Sequence, residues 1–395
     1  MTGKRWSWPA TVATVVLIAA VVVVAVLIVP LGPGTRHRRP GAPGVAATPD
    51  AGLPAPGTEA FGVNVNRLFN DFADTAAQID GQLAAVRATG ATVARSDALW
   101  EATEPRAPVA GRHDYDWSFD DAIAGALAAH GLTWLPILDY SPSWAASILG
   151  QDHSPPRSDA DYAAYAAAFA ARYGSDGTFW RAHPDLTPAP VTTIEIWNEP
   201  DTAEFWAPAP AAGRYADLYL AARSAIDGVN PRIRVIVGGL SDPTTFLPAL
   251  VGARPALRGH VDGVAIHPYG SPAVIVARVR AARAVLSSVG MGTVPLYVTE
   301  FGWTTEPPGA VDYAAARVRP ADITTSFVAL GHLACGLAVS LLYTWVTPRR
   351  DPADRQDWYG IADPEHPGVA TPDIRAFTAG LRAATQPGPA RPCAG

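Results

Sequence analysis

The chain has 395 residues, with 30 basic and 36 acidic side chains and a net charge of −6. This length allows a single large α/β domain, because such domains commonly reach about 250 residues or more. The arginines are scattered and Lys4 is the one lysine, so the charge pattern gives no support for a nucleic-acid partner. Two cysteines are too few for a disulfide scaffold and lack metal-ligand spacing, so we expect no zinc site.

The amino terminus contains an apolar run, residues 12–29, that carries no charge and has Thr14 as its single polar interruption. Its 18 residues are at the lower limit for crossing a hydrocarbon layer of roughly 30 Å. We therefore predict a single transmembrane anchor within residues 1–30. A cleaved signal peptide is the alternative, although its apolar region is usually shorter. Basic residues flank both ends of the run, so charge does not decide the orientation.

Proline and glycine dominate the next segment. Residues 30–57 contain seven prolines and six glycines and few apolar side chains large enough to build a core. This composition favours extended conformations, and it predicts a linker over residues 31–57. A catalytic domain over residues 58–386 and a tail over residues 387–395 complete the predicted organisation.

After residue 59, short apolar runs alternate with alanine-rich segments of helical period, which is typical of parallel βα units. We predict eight strands, at residues 61–66, 92–97, 133–139, 193–198, 234–239, 261–267, 295–300 and 339–345. Eight such units predict a (β/α)8 TIM barrel, with an open doubly wound sheet as the alternative. No glycine-rich phosphate loop follows a predicted strand, so no nucleotide or other cofactor is expected.

Catalytic groups of such barrels lie where the strands end, at their carboxyl termini. Two predicted strands have a glutamate at this end: the fourth ends at Asn198 and is followed directly by Glu199 and Pro200, and the seventh ends at Glu300. These two strands face each other across a barrel. A retaining glycosidase needs two carboxyl groups about 5 Å apart, one as acid/base and one as nucleophile, and we expect this pair to approach each other that closely.

The residues around both glutamates support this interpretation. The sequences WNEP at 197–200 and TEFG at 299–302 resemble the acid/base and nucleophile motifs of clan A glycoside hydrolases, and the resemblance covers most of residues 59–385. Within the clan, the region 100–138 is similar to family 39, which includes β-xylosidases and exopolysaccharide-associated glycosidases. The resemblance implies a retaining O-glycosyl hydrolase that acts on a cell-envelope, exopolysaccharide or plant-type carbohydrate.

The resemblance also assigns roles to individual residues. Glu199 is expected to be the acid/base and Glu300 the nucleophile, and Asn198 resembles the clan residue that hydrogen-bonds the sugar 2-hydroxyl. Arg95 and Tyr269 would favour the ionised form of Glu300 if they reach it. His267 is a further candidate for substrate binding, or alternatively a structural core histidine.

Three tryptophans are candidates for stacking on sugar rings, namely Trp345, Trp144 and Trp303. Trp345 is the strongest, because it follows the last predicted strand and resembles the clan tryptophan that forms the floor of the cleaved-sugar subsite. Trp144 and Trp303 are weaker, since buried aromatic side chains more often belong to the core. In the clan a cis peptide often follows the floor tryptophan, whereas here Val346 stands where a small polar residue is usual.

Two other functions remain open from the sequence. One is a catalytically silent carbohydrate-binding barrel, against which the presence of both glutamates argues. The other is a transglycosylase, in which a sugar replaces water as the acceptor. In either case the expected partners are a carbohydrate and, through residues 12–29, a membrane, with the domain monomeric and outside the cytoplasm. Export also favours a disulfide between Cys335 and Cys393.

Overall fold

The computed structural model describes residues 57, 59–70, 76–305 and 314–393. The predicted membrane segment at 12–29 and nearly all of the linker lie outside these ranges, so both stay predictions. Among the helices that the structure describes, none combines the length and the apolar character that crossing a bilayer requires.

Eight parallel strands form a closed barrel, in which each strand pairs with the next and the eighth pairs with the first. They are β1 (Ala60–Asn64), β2 (Val93–Leu99), β3 (Thr133–Asp139), β4 (Thr193–Ile196), β5 (Arg234–Leu240), β6 (Gly263–Ile266), β7 (Leu296–Phe301) and β8 (Leu337–Leu342). The predicted TIM barrel is therefore confirmed, and the open sheet is excluded.

Helices surround the barrel. They are α1 (Asn66–Asn70), α2 (Ala76–Ala88), α3 (Trp100–Thr103), α4 (Ser118–Ala129), α5 (Asp159–Tyr173), α6 (Thr178–Ala182), α7 (Ala212–Val229), α8 (Pro243–Ala253), α9 (Pro272–Ser288), α10 (Ala314–Gly331) and α11 (Pro372–Ala384). Two short 3₁₀ helices, Pro255–Gly259 and Arg355–Trp358, lie in the connections.

A small apolar cluster fills the barrel interior, and a much larger one lies between the strands and the helices. The interior cluster includes Val93 and Leu135, so the alternation along β2 and β3 turns Arg95, Asp97 and Ile137 inward as well. The interior is therefore apolar at the amino-terminal end of the strands and polar at the carboxyl-terminal end. The polar end is where a site can form.

Helix α5 shows how the outer layer positions this polar end. The hydroxyl oxygen of Ser158 caps the helix by accepting from the backbone N–H of Asp161 at 3.2 Å, a contact typically worth about 1 kcal/mol. Tyr162 donates to the carbonyl oxygen of Leu138, and Tyr165 donates to that of Ala98. The two tyrosines thus attach the helix to the carboxyl-terminal ends of β3 and β2.

The carboxyl-terminal tail is attached at the opposite end of the barrel. Residues Arg391–Pro392 pair with Leu333–Ala334, just before β8 begins. A disulfide joins Cys335 to Cys393, as predicted. The tail is thereby fixed beside the amino-terminal ends of the strands, away from the polar end of the interior.

Candidate active site

A cleft of about 380 Å³ opens at the carboxyl-terminal ends of the strands. Both predicted catalytic glutamates line it, together with two of the predicted substrate-binding residues, Asn198 and Tyr269. The other described residues that line it are Asn66, Arg67, Asp97, Ile137, Tyr140, Glu204, Phe205, Tyr343, Gln356 and Tyr359.

A tight turn after β4 presents the acid/base candidate. Trp197 and Glu199 adopt φ values of +65° and +42°, a region that costs an L-residue roughly 1–2 kcal/mol. The surroundings hold the turn in place: the Trp197 indole donates to the carbonyl oxygen of Phe205, and the backbone N–H of Thr202 donates to that of Glu199. β4 consequently ends at Ile196, two residues earlier than predicted, because the backbone of the WNEP sequence has left the extended region.

Arg95 connects the groups below the cleft. Its side chain is fully buried, and its Nε and Nη2 donate to the two carboxylate oxygens of Glu195 at 2.8 and 3.1 Å. Nη1 donates to Glu300 at 2.7 Å and to Asn64 at 2.8 Å, while Nη2 also donates to Asn198 at 3.1 Å. A buried guanidinium requires such partners, since an unpaired buried charge is very costly. Arg95 therefore fixes the positions of both Asn198 and Glu300.

Glu300 is held as an anion. In addition to the contact from Arg95, its Oε2 accepts a hydrogen bond from the Tyr269 hydroxyl at 2.7 Å. Burial acts to raise the pKa of Glu300, but the charges of His267 and Arg95 and the hydrogen bond from Tyr269 outweigh it and lower the pKa. The prediction that Arg95 and Tyr269 reach Glu300 is thus confirmed.

His267 lies between the two glutamates. Its Nδ1 is 2.7 Å from Glu199 and 3.6 Å from Glu300, and its Nε2 is 3.1 Å from the Thr299 hydroxyl. Burial acts to lower the pKa of His267, but the charge of Glu300 and the hydrogen bond to Glu199 raise it. The ring fits because residue 239 is glycine: a Cβ there would lie 1.9 Å from Nε2. His267 therefore contacts both glutamates, but the described cleft lining does not include it, so its predicted contact with substrate stays a prediction.

Carboxylate oxygens of Glu199 and Glu300 lie within 4.8 Å of each other and of His267. Such a set of ligand atoms is also close enough to hold a metal ion. However, Glu199 already forms a hydrogen bond with His267, and Glu300 already accepts hydrogen bonds from Arg95 and Tyr269. The Arg95 guanidinium would also repel a cation at this place. The arrangement fits two carboxyl groups that act on a substrate better than a metal centre.

The prediction that Trp345 forms the floor of the cleft is wrong. Its side chain is fully buried, and its indole donates to Gln82 of α2 at 2.8 Å. The reason is that β8 ends at Leu342, so strand alternation no longer turns residue 345 toward the interior. The aromatic ring that lines the cleft after β8 is Tyr343, and the cis peptide bond joins Tyr343 to Thr344 instead of following Trp345.

The other two tryptophans lie outside the cleft lining. The indole of Trp144 donates to the carbonyl oxygen of Glu104 and packs edge-on against Trp100 at 5.4 Å. Trp144 is therefore part of the packing around α3, and its predicted contact with substrate is not supported. Trp303 lines a neighbouring depression, which also includes Tyr269 and Tyr359.

Sequence reasoning missed several residues of the site. Glu195 is the main one, although a signal was present: a single acid between Ile194 and Ile196 inside an apolar strand requires a buried cation as its partner. Nothing in the sequence pointed to Tyr359, because it lies in the long connection after β8, where the residues show neither the period of a strand nor that of a helix.

No protein-family model and no curated protein matches this chain. Its fold is similar to that of a family 39 glycoside hydrolase from the gut symbiont Bacteroides cellulosilyticus WH2, with a TM-score of 0.61 and 18% identity over 83% of this chain and 64% of that chain. A monomeric β-xylosidase from Caulobacter crescentus CB15 gives a TM-score of 0.62 and 20% identity over 82% of this chain and 69% of that one.

An exo-β-1,4-mannosidase from Opitutaceae bacterium strain TAV5 is also similar, with a TM-score of 0.57 and 18% identity, over 86% of this chain and 62% of that one. The chain thus spans just under two thirds of the length of the family 39 enzyme from Bacteroides. At these identities the likeness concerns the fold. At that level the predicted resemblance to family 39 and other clan A glycoside hydrolases is confirmed.

Proposed function

We propose that this protein is a retaining glycoside hydrolase, with Glu300 as the nucleophile and Glu199 as the acid/base. The observation that carries the proposal is the pair of carboxyl groups within 4.8 Å, of which one is held as an anion and the other is paired with a histidine. A separation of about 5 Å leaves no room for a water molecule between nucleophile and sugar, which favours direct attack by the carboxylate.

In the first step, an oxygen of Glu300 attacks the anomeric carbon while Glu199 gives its proton to the leaving oxygen, so that the C–O bond of the glycoside breaks. His267, whose Nδ1 lies 2.7 Å from an oxygen of Glu199, holds the carboxyl group of the acid/base in place. The product is a glycosyl ester on Glu300, which removes the negative charge of that carboxylate.

In the second step, Glu199 accepts a proton from water, and the water oxygen displaces Glu300 from the anomeric carbon. Arg95 and Tyr269 stabilise the carboxylate that leaves. Asn198, held by Arg95 at the cleft, is placed to bond the sugar 2-hydroxyl, a contact that strengthens in an oxocarbenium-like transition state.

We further propose that the substrate is an oligosaccharide or polysaccharide of the cell envelope, an exopolysaccharide or a plant-type glycan. The domain would act outside the cytoplasmic membrane, anchored through residues 12–29. The Cys335–Cys393 disulfide supports export, because disulfides persist in oxidising compartments. We also propose that the domain acts as a monomer.

Trapping the covalent intermediate tests the proposal. A set of 2-deoxy-2-fluoro aryl glycosides slows the second step, so mass spectrometry of peptides should find the sugar on Glu300. The Glu300→Gln variant is the matched control and should take up no label. Label on another carboxylate would contradict the assignment. A protein that binds glycans but takes no label and cleaves no aryl glycoside would be the silent binding barrel.

A further inference from the structure

The charge of the cleft bears on which sugars it accepts. Among the residues that the structure describes, four carboxyl groups line it, from Asp97, Glu199, Glu204 and Glu300, against one guanidinium, Arg67. Both Arg67 and Arg95, which lies below the cleft, already pair with carboxylates of the protein and are therefore not available to bind an anionic ligand. Arg67 Nη2 lies 2.7 Å from a carboxylate oxygen of Asp357, and Arg95 is fully buried and divided between Glu195 and Glu300.

Two of these acids have no role in the proposed chemistry. Asp97 is on β2, two residues beyond Arg95, and so turns toward the same interior; it accepts a hydrogen bond from Asn70 at 2.6 Å. Glu204 lies on the loop after β4, beside Phe205, and is exposed at the rim. Burial raises the pKa of Asp97 to about 6 against the opposing effect of Arg95, so Asp97 is mainly ionised at neutral pH.

An independent feature beneath the cleft is also short of hydrogen-bond donors. Asp139 ends β3 on the same side of the strand as Ile137, which lines the cleft. It is fully buried, and neither of its carboxyl oxygens has a hydrogen-bond partner among the described residues. The side-chain oxygen of Asn66 in the cleft lining is likewise buried and unpaired. Unpaired buried acceptors are costly, and the oxygen of Asn66 belongs to a residue that lines the cleft, where a ligand that donates a hydrogen bond would satisfy it.

We infer that the cleft selects sugars with an unsubstituted, protonated amino group over neutral sugars, and rejects uronic acids, with Asp97 and Glu204 as the selecting residues. The inference rests on the proposed function, since it takes this cleft as the place where the sugar binds. An ammonium group supplies up to three donors and a positive charge, whereas a uronate would face carboxylates and find no free cation among the described lining residues.

Binding to the Glu300→Gln variant tests the inference without requiring turnover. Isothermal titration calorimetry near neutral pH, where Asp97 is mainly ionised, would compare four β-1,4-linked pentamers: chitosan, which has an amino group in every subsite, N-acetylated chitin, cellulose and glucuronan. An aryl β-galactosaminide, β-galactoside and β-galacturonide extend the test to sugars that have the opposite configuration at C4. We expect the amino sugar to bind about 10- to 100-fold more tightly than its neutral counterpart, and the uronide to show no binding.

Variants in the same background assign the effect to residues. Asp97→Asn should remove most of the preference for the amino sugar, while its affinity for the neutral pentamer, which reports an intact cleft, changes little. Glu204→Gln should reduce the preference about threefold, because an exposed charge is screened, and high salt should reduce it in the same way. Asp185→Asn is the matched control: Asp185 is exposed in the connection before β4, at the opposite end of the barrel, and should change nothing.

A uronide that binds as well as the amino sugar would overturn the inference. So would a preference that Asp97→Asn leaves unchanged, or an absence of binding in both series. The proposed function fails on a different result, namely the lack of a labelled Glu300 and of cleavage in the unmodified protein. The two failures are therefore distinguishable.

Discussion

The two carboxylates of the cleft are held in different ways, although both lie at the carboxyl-terminal ends of barrel strands. Glu300 receives hydrogen bonds from Arg95 and Tyr269, two rigid donors that favour its anion. Glu199 follows a turn with positive φ, and its side chain has one hydrogen-bond partner in the described part of the chain, His267. The difference fits the proposed roles, in which Glu300 must be ionised before it attacks, whereas Glu199 gives up a proton in one step and accepts one in the next.

Removing either carboxyl group should have the largest effect on activity, and the pattern of the two losses should separate the two roles most clearly. Glu199→Ala should reduce cleavage of glycosides with poor leaving groups by about 10²–10⁴-fold and largely spare the first step with activated aryl glycosides. Glu300→Ala should abolish cleavage of both, because the attacking group itself is gone. Steady-state kinetics on leaving groups of graded pKa would measure the difference.

Azide serves as the control for both variants. In Glu199→Ala it needs no general base, so it should restore turnover and yield a glycosyl azide of retained configuration. In Glu300→Ala it should take the place of the nucleophile and yield the inverted azide. The opposite assignment of products, or equal losses on good and poor leaving groups without rescue, would show that the roles are wrong.

Gly239→Ala should disturb the acid/base alone. The added Cβ would lie 1.9 Å from His267 Nε2, so the ring must move and its hydrogen bond to Glu199 is lost. We expect kcat/KM for poor leaving groups to fall about 10- to 100-fold, with a much smaller effect on activated ones. Gly252→Ala is the matched control, because a Cβ there meets nothing within 4 Å. An equal loss on both kinds of substrate would contradict a positioning role for His267.

Tyr269→Phe should have the smallest effect, and on the nucleophile alone. A hydrogen bond to the charged form lowers a pKa, so its removal raises the pKa of Glu300. Because Glu300 must be ionised to attack, the acidic limb of the kcat/KM profile should move to higher pH. Tyr343→Phe, in the same cleft, should leave that limb in place. A shift toward lower pH in Tyr269→Phe would disprove the proposed hydrogen bond.

The sequence predicted those parts of the fold and of the site that depend on the spacing of apolar residues and on which residues end the strands. Eight apolar runs gave the barrel, and Glu199 and Glu300 were found because each terminates such a run. Arg95, near the end of the second predicted strand, was assigned to the site through the resemblance to clan A glycoside hydrolases. These features are local, so a single sequence contains them.

The features that the sequence did not predict depend on where the backbone leaves the strand. Trp345 was assigned to the cleft by extending β8 three residues too far, and Tyr343 was overlooked for the same reason. Tyr359 reaches the cleft from a long connection whose path depends on packing against β7 and β8. Glu195 could have been paired with Arg95, but the pairing requires knowing that both residues point inward.

The closed parallel barrel gives the domain a front and a back. The chain enters β1 at the back, and the disulfide fastens Cys393 to the same side, whereas the cleft opens at the front. A fusion partner, an affinity tag or a solid support joined to either end of the domain is therefore attached behind it. The front stays free to meet a fibre or gel that cannot itself diffuse, whichever end is used for the attachment.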